Sequence, residues 1–168
     1  MKFMGYKRLD GRCGIRNKVL IIDGVLCSAV AAETISKEVE GTTYLHNQNG
    51  CAQNLIDTAA NLEILSGMVA NGNVCGALIV GLGCENTTKE DYINAIKAKT
   101  NKPLYYISMQ ELGGFKKNVQ KGVEIAKKLL EEAKKVKREE IDASELIIGL
   151  ECGGSDPTSG ISANVVLG

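Results

Sequence analysis

Four cysteines, one histidine and two acids stand where apolar runs break into glycine and polar residues, and the chemistry of this chain is to be sought there. Cys27, Cys51, Cys84 and Cys152 each follow such a run within a few residues. His46 lies beside Asn47 and Gly50-Cys51, while Glu85 and Glu151 adjoin Cys84 and Cys152. Thiolates are soft ligands for iron or zinc. An imidazole serves a metal or carries a proton near neutral pH, and a carboxylate does general acid–base work. No Cys-x-x-Cys pair occurs, so the pattern is neither a zinc ribbon nor a ferredoxin, and a metal centre would have to be assembled from separate loops. Taken singly, each thiol reads as a small buried hydrophobe. That reading is preferred for Cys75, and Cys13 has no assignable partner. Glu85 also suits a helix N-terminus, as do Ser155 and Asp156. Arg12 and Arg16, in a polar lead-in, are either surface ion-pairing residues or a fork for a substrate carboxylate.

The elements that would position these residues alternate. Apolar runs predict strands at 18–23, 42–45, 77–80, 104–108 and 146–150. Helices are expected from Ser28, as N-cap, to Glu40, and from Asn54 to Ala70. Another follows a Thr87/Glu90 capping box, and the last runs from Phe115 to Lys137. No hairpin turn separates neighbouring strands. The pattern predicts an α/β fold: a three-layer Rossmann/flavodoxin-like domain with a parallel sheet of about five strands. Residues 1–17 read as a lead-in arm, 18–152 as the α/β domain, and 153–168 as the Gly/Ser-rich start of a missing C-terminal region. Ligands of an open parallel sheet bind outside the carboxyl ends of its strands, so the four thiols and His46 are expected on one edge.

Composition removes several alternatives. Lysine plus arginine balances aspartate plus glutamate at 20 each, so no net field draws the chain to nucleic acid or an anionic membrane. Aromatics make up 4% of residues, with no tryptophan, which leaves little for base stacking. No apolar run approaches the roughly 20 residues of a membrane span, and the N-terminus lacks a signal-peptide core. A cytoplasmic protein with free thiols is expected. The first strand is followed by Asp23-Gly24-Val25-Leu26-Cys27-Ser28 rather than a glycine-rich dinucleotide fingerprint, and no phosphate-binding Walker pair exists.

Several of these blocks together resemble the altronate/galactarate dehydratase family. They are Gly5-Tyr6, Asp10-Gly11-Arg12, Gly14, Arg16-Asn17, Cys27-Ser28, His46 with Gly50-Cys51, Gly81-Leu82-Gly83-Cys84-Glu85, and Glu151-Cys152-Gly153-Gly154-Ser155-Asp156 with Ser159-Gly160. The resemblance implies a hydro-lyase that eliminates water from an aldonate or aldarate to give a 2-keto-3-deoxy acid. Iron (Fe2+) is the implied cofactor, with an iron–sulfur cluster or another divalent metal as alternatives. It further implies that this is the second domain of a longer enzyme. The expected partners are the sugar acid, a C-terminal catalytic region or partner subunit, and further copies in a homo-oligomer. In the roles it suggests, His46, Glu85 and Glu151 move protons. Arg12, Arg16, Asn17, Ser28, Ser155 and Asp156 hold substrate, and Cys27, Cys51, Cys84 and Cys152 hold or border the metal. A sulfolactate sulfo-lyase branch shares the architecture, so sulfite is an alternative leaving group. A non-catalytic scaffold docking on the C-terminal part is another reading. One departure is Ser162-Ala163-Asn164-Val165, where the family continues as threonine-alanine-asparagine-proline; losing the proline removes a fixed turn.

Overall fold

Strands that are apolar on both sides need cover on both sides, and the chain supplies it with two pairs of helices. The structure is a computed structural model and describes residues 1–151, 154 and 156–168. In order it runs β1 (Lys2–Lys7), β2 (Cys13–Gly14), β3 (Lys18–Asp23), α1 (Ala29–Glu38), β4 (Thr42–Leu45), α2 (Leu55–Ala70) and β5 (Val74–Gly81). Then come α3 (Lys89–Lys97), β6 (Leu104–Ser108), α4 (Met109–Leu112), α5 (Phe115–Lys135), β7 (Glu139–Asp142) and α6 (Ala163–Leu167).

The main sheet is parallel, in the order β4-β3-β5-β6. Side chains of a strand alternate between faces. Val19, Ile21, Leu78 and Val80 therefore meet Ala32 and Ile35 of α1 and Val119, Ala126 and Leu129 of α5. On the other face Leu20, Ile22, Ala77 and Ile79 pack on Leu65 and Val69 of α2 and on Tyr92 and Ile96 of α3. This is the expected three-layer α/β arrangement with helices on both faces. Among the described residues the sheet has four strands, not five.

The difference lies at the two ends of the chain. Residues 1–17 are not a loose arm. β1 pairs antiparallel with β2 across the turn at Asp10-Gly11 and antiparallel with β7 on its other side, giving a second sheet in the order β2-β1-β7. Sequence reading finds no such strand because the partner of β1 lies at the far end of the chain, and Lys2–Lys7 carries no clean alternation. β7 in turn fixes the path that follows. Asp142 accepts from the Ser144 amide at 2.9 Å and turns the chain into a short 3-10 segment, Ala143–Glu145. The run 146–150 then forms no strand, and Ile147, Ile148 and Leu150 are exposed. One helix start also shifts: the capping box is made by Thr88 and Asp91, one residue later than expected. Ser28 is the N-cap residue of α1 as expected, but its side chain makes no capping bond, and a 3-10 turn, Leu26–Ser28, precedes that helix.

The small sheet is joined to the large one by Arg8, which is buried. Its Nε donates to the Gly72 carbonyl at 2.8 Å, and its terminal nitrogens donate to the Asn17 side chain at 2.7 Å and the Arg16 carbonyl at 3.0 Å. Gly14 lies so close to Gly72 that a Cβ there would fall on the Gly72 carbonyl. Gly14→Ala is therefore expected to destabilise the protein by about 1–3 kcal/mol, the usual cost of overpacking. A urea titration would measure it. An unchanged midpoint would mean that residues 1–17 do not pack on the domain.

Candidate active site

All four β-to-α connections of the main sheet lie on its carboxyl edge and are tied together by the backbone. The Leu26 amide donates to the Asn49 carbonyl at 3.0 Å, the Asn86 amide to the Gly50 carbonyl at 3.1 Å, and the Gln110 amide to the Leu82 carbonyl at 2.9 Å. Gly50 permits a further close approach, of the second loop to the first. Its φ is +99°, and a Cβ there would lie 2.5 Å from the Gly24 carbonyl oxygen, so only glycine fits.

At the centre is Asp23, the last residue of β3, with no exposed surface. One carboxylate oxygen accepts from the Asn47 amide at 3.0 Å, and the other lies 3.0 Å from His46 Nδ1. An ionised carboxylate only accepts, so in the neutral imidazole that faces it the Nδ1 proton is directed at Asp23 and Nε2 is the free nitrogen. The Tyr44 hydroxyl stands 2.9 Å from the same Nδ1. Burial, then the Asp23 charge, pushes the Tyr44 phenol above its ordinary pKa, so it stays protonated. His46 is two-fifths exposed while Asp23 is sealed. A buried acid that orients a half-open imidazole is an arrangement for taking a proton at Nε2 and stabilising the imidazolium that results.

Glu85 is occupied differently. Its Oε1 accepts from the Tyr106 hydroxyl at 2.6 Å and the Leu82 amide at 3.2 Å, and its Oε2 accepts from the Gly83 amide at 2.6 Å. Burial acts to raise its pKa, but the hydrogen bonds from Tyr106, Gly83 and Leu82 outweigh it and hold the carboxyl below the ordinary value. Glu85 is thus a charged clamp on its own loop rather than a group poised to give or take protons at neutral pH. Gly81 makes room, since a Cβ there would collide with the Tyr106 hydroxyl and the Glu85 carboxylate.

Cys27, Cys51 and Cys84 occupy the first, second and third of these loops, and all three are exposed. Among the described residues, no three His, Cys, Asp or Glu side chains come together as metal donors. The described thiols and acids therefore do not fit an iron or zinc centre by themselves. Cys75 is half-buried at the start of β5, donating to the Lys18 carbonyl at 3.1 Å. Ser28 is fully buried with its hydroxyl 2.8 Å from the Val25 carbonyl, so no face is left for substrate.

Arg12, Arg16 and Asn17 sit at the opposite, amino edge. Arg12 donates to Asp10 at 3.0 Å and to the Lys99 carbonyl at 2.8 Å. The Arg16 amide donates to Asn73 Oδ1 at 2.9 Å, and the Asn17 side chain to the Ala133 carbonyl at 2.8 Å. Glu151 is exposed beyond the run 146–150, which also leaves from the amino edge. Asp156 is exposed and caps its own turn, accepting from the Thr158 amide at 2.7 Å. Cys152 and Ser155 lie outside the described residues. The residues that sequence reading missed are Asp23, Tyr44 and Tyr106. Asp23 had a signal, as a lone acid closing an otherwise apolar strand. An open groove of about 620 Å³ flanks the second loop, lined by Asn49, Gln53 and Asn54 and by Ala60, Asn61 and Ile64 of α2.

The sequence profile of the D-galactarate dehydratase/altronate hydrolase second domain matches residues 5–134, and that of the D-galactarate/altronate dehydratase C-terminal region matches residues 143–168. The altronate dehydratase of Bacillus subtilis (strain 168) is 35% identical, with 99% of this chain and 35% of that protein aligned. The (2R)-sulfolactate sulfo-lyase subunit beta of Chromohalobacter salexigens is 32% identical over 99% of this chain and 42% of its own length. The galactarate dehydratase (L-threo-forming) of Escherichia coli (strain K12) is 30% identical over 99% of this chain and 35% of its own length. The chain thus spans between a third and a little over two-fifths of these relatives. No solved structure matches.

The Glu85 clamp has a pH signature. Because its folded pKa lies below the ordinary value, its contribution is present above that value and is lost as pH falls through the folded one. Lowering the pH from about 6 to about 3 should therefore depress the melting temperature more in the native protein than in Glu85→Gln. Parallel acid profiles for the two proteins would remove Glu85 from this role.

Proposed function

Because the chain belongs to the D-galactarate dehydratase/altronate hydrolase family, we propose that it is the second domain of a sugar-acid hydro-lyase and that His46 is its base. The observation that carries this reading is the buried Asp23 holding His46 Nδ1 at the sheet's carboxyl edge. In the reaction proposed, His46 Nε2 takes the proton α to the substrate carboxylate and leaves an enediolate. Asp23 holds the imidazole in the reactive tautomer and offsets its positive charge. The β-hydroxyl then leaves with a proton as water, and the enol that remains tautomerises to a 2-keto-3-deoxy acid.

The match of residues 143–168 to the C-terminal region supports an enzyme completed by more of that region. Arg12 and Arg16 lie at the opposite edge from His46, so neither is proposed to hold the substrate carboxylate there, and groups of the completing part are proposed for that role. The iron implied by family resemblance is likewise proposed to rest on donors that the described residues do not assemble alone. The similarity to a sulfolactate sulfo-lyase subunit favours a second reading, in which the same base acts and sulfite leaves instead of water.

Two measurements test these proposals. In the completed enzyme, His46→Asn should lower the dehydration rate of altronate or galactarate by a factor on the order of 10² or more, and Asp23→Asn should also lower kcat. An active His46→Asn would end the assignment, while turnover of sulfolactate but of neither sugar acid would select the second reading. This chain, purified anaerobically without a partner, should retain substoichiometric iron and no acid-labile sulfide. One tightly held iron per chain would show that the described loops rearrange into a metal site.

A further inference from the structure

α2 carries two apolar faces, and one of them is uncovered. Leu65, Val69 and Ala70 are buried against the sheet. On the opposite side Ile56, Ala60, Ile64 and Gly67 recur at helical spacing, all exposed, with Ile56 at 80% and Ile64 at 63%. A helix at the surface of a globular domain normally turns charge outward there, as α5 does with its lysines and glutamates. Leu55 and Met68 extend the exposed stripe at its two ends. An apolar stripe this continuous marks an interaction surface.

The course of the chain identifies what covers it. After β7 the chain enters the stretch that matches the family's C-terminal region. A cavity of about 730 Å³ there is lined by Glu63, Gly67 and Ala70 of α2 together with Leu146, Ile147 and Gly149. The segment leading into the C-terminal region therefore meets the outward stripe of α2 at its Gly67 end. It brings unpartnered apolar residues of its own, Ile147, Ile148 and Leu150. At its other end the stripe reaches Leu55 and Ile56, just past the Cys51 loop of the candidate active edge.

We infer that the outward face of α2, from Ile56 to Met68, is the docking surface for the remainder of the family's C-terminal region. That region packs along α2 and so reaches the His46 edge. The inference rests on the proposed reading of this chain as one domain of a larger hydro-lyase, and it adds the surface on which the enzyme is completed.

Photo-crosslinking tests it in the protein as its own cell makes it. p-Benzoylphenylalanine is placed at Ile56 or at Ile64, with a control at Lys121 on the outward side of α5. Mass spectrometry should identify peptides of this family's C-terminal region crosslinked to positions 56 and 64 but not to 121. With the probe at position 56, Ile64→Lys should reduce the crosslink at least about tenfold. It should leave the melting temperature of this chain unchanged, because Ile64 already faces water. Crosslinks to α2 of a second copy, to an unrelated protein, or to nothing would overturn the inference. Crosslinking needs no turnover, so the two readings fail separately. Dehydration without these crosslinks removes the docking surface alone, and these crosslinks without dehydration remove the hydro-lyase reading alone.

Discussion

The carboxyl edge of this domain depends on one buried charge. Asp23 has no contact with water, and an ionised carboxylate in such a place persists only when its oxygens are met by donors. The donors are the Asn47 amide and His46 Nδ1, both from the loop after β4. Meeting that requirement fixes where the loop runs. Asn47 then reaches back to the Gly24 carbonyl at 3.1 Å, Gly50 presses against Gly24, and the second loop lies close enough to bond the first and third. A neutral residue at position 23 would leave the loop no electrostatic reason to be there.

The same constraint separates structure from chemistry within one imidazole. Nδ1 satisfies the buried acid and is structural, which on the proposed reading leaves Nε2 for chemistry. Glu85 has no such division. Both its oxygens are taken by its own loop and by Tyr106, so its charge holds the third connection in shape. Two acids at neighbouring strand ends thus come to differ through their donors: one orients an imidazole, and the other locks a turn.

Much of this was legible in the sequence. Apolar runs of four to six residues separated by helical periods give β3 to β6 and their cover, because parallel strands buried on both sides leave a strong local signal. Placing Cys27, His46, Cys51 and Cys84 at one edge follows from that alternation and agrees with the structure. What escaped depends on distant pairing. β1 is a strand because β7 lies beside it, and 146–150 is no strand because β7 has already taken the chain to the small sheet. Arg12, Arg16 and Asn17 therefore belong to the amino edge, where they hold the turn of the small sheet and the ends of α3 and α5. The role of Asp23 shows only once the loop that satisfies it is seen.

The geometry of the two edges bears on how a full site is built. A strand of five or six residues is about 17–20 Å long, so no rearrangement of side chains alone brings Arg12 or Arg16 to His46. The loops of the carboxyl edge offer a half-open imidazole and three exposed thiols, and they lead into Lys89 at the start of α3 and Lys116 and Lys117 at the start of α5. An elimination next to a carboxylate builds negative charge that needs a preorganised counterpart. On the proposed reading the base stands here, the groups that meet that charge are completed by the rest of the enzyme, and the uncovered apolar face of α2 beside the same edge is where that part is held.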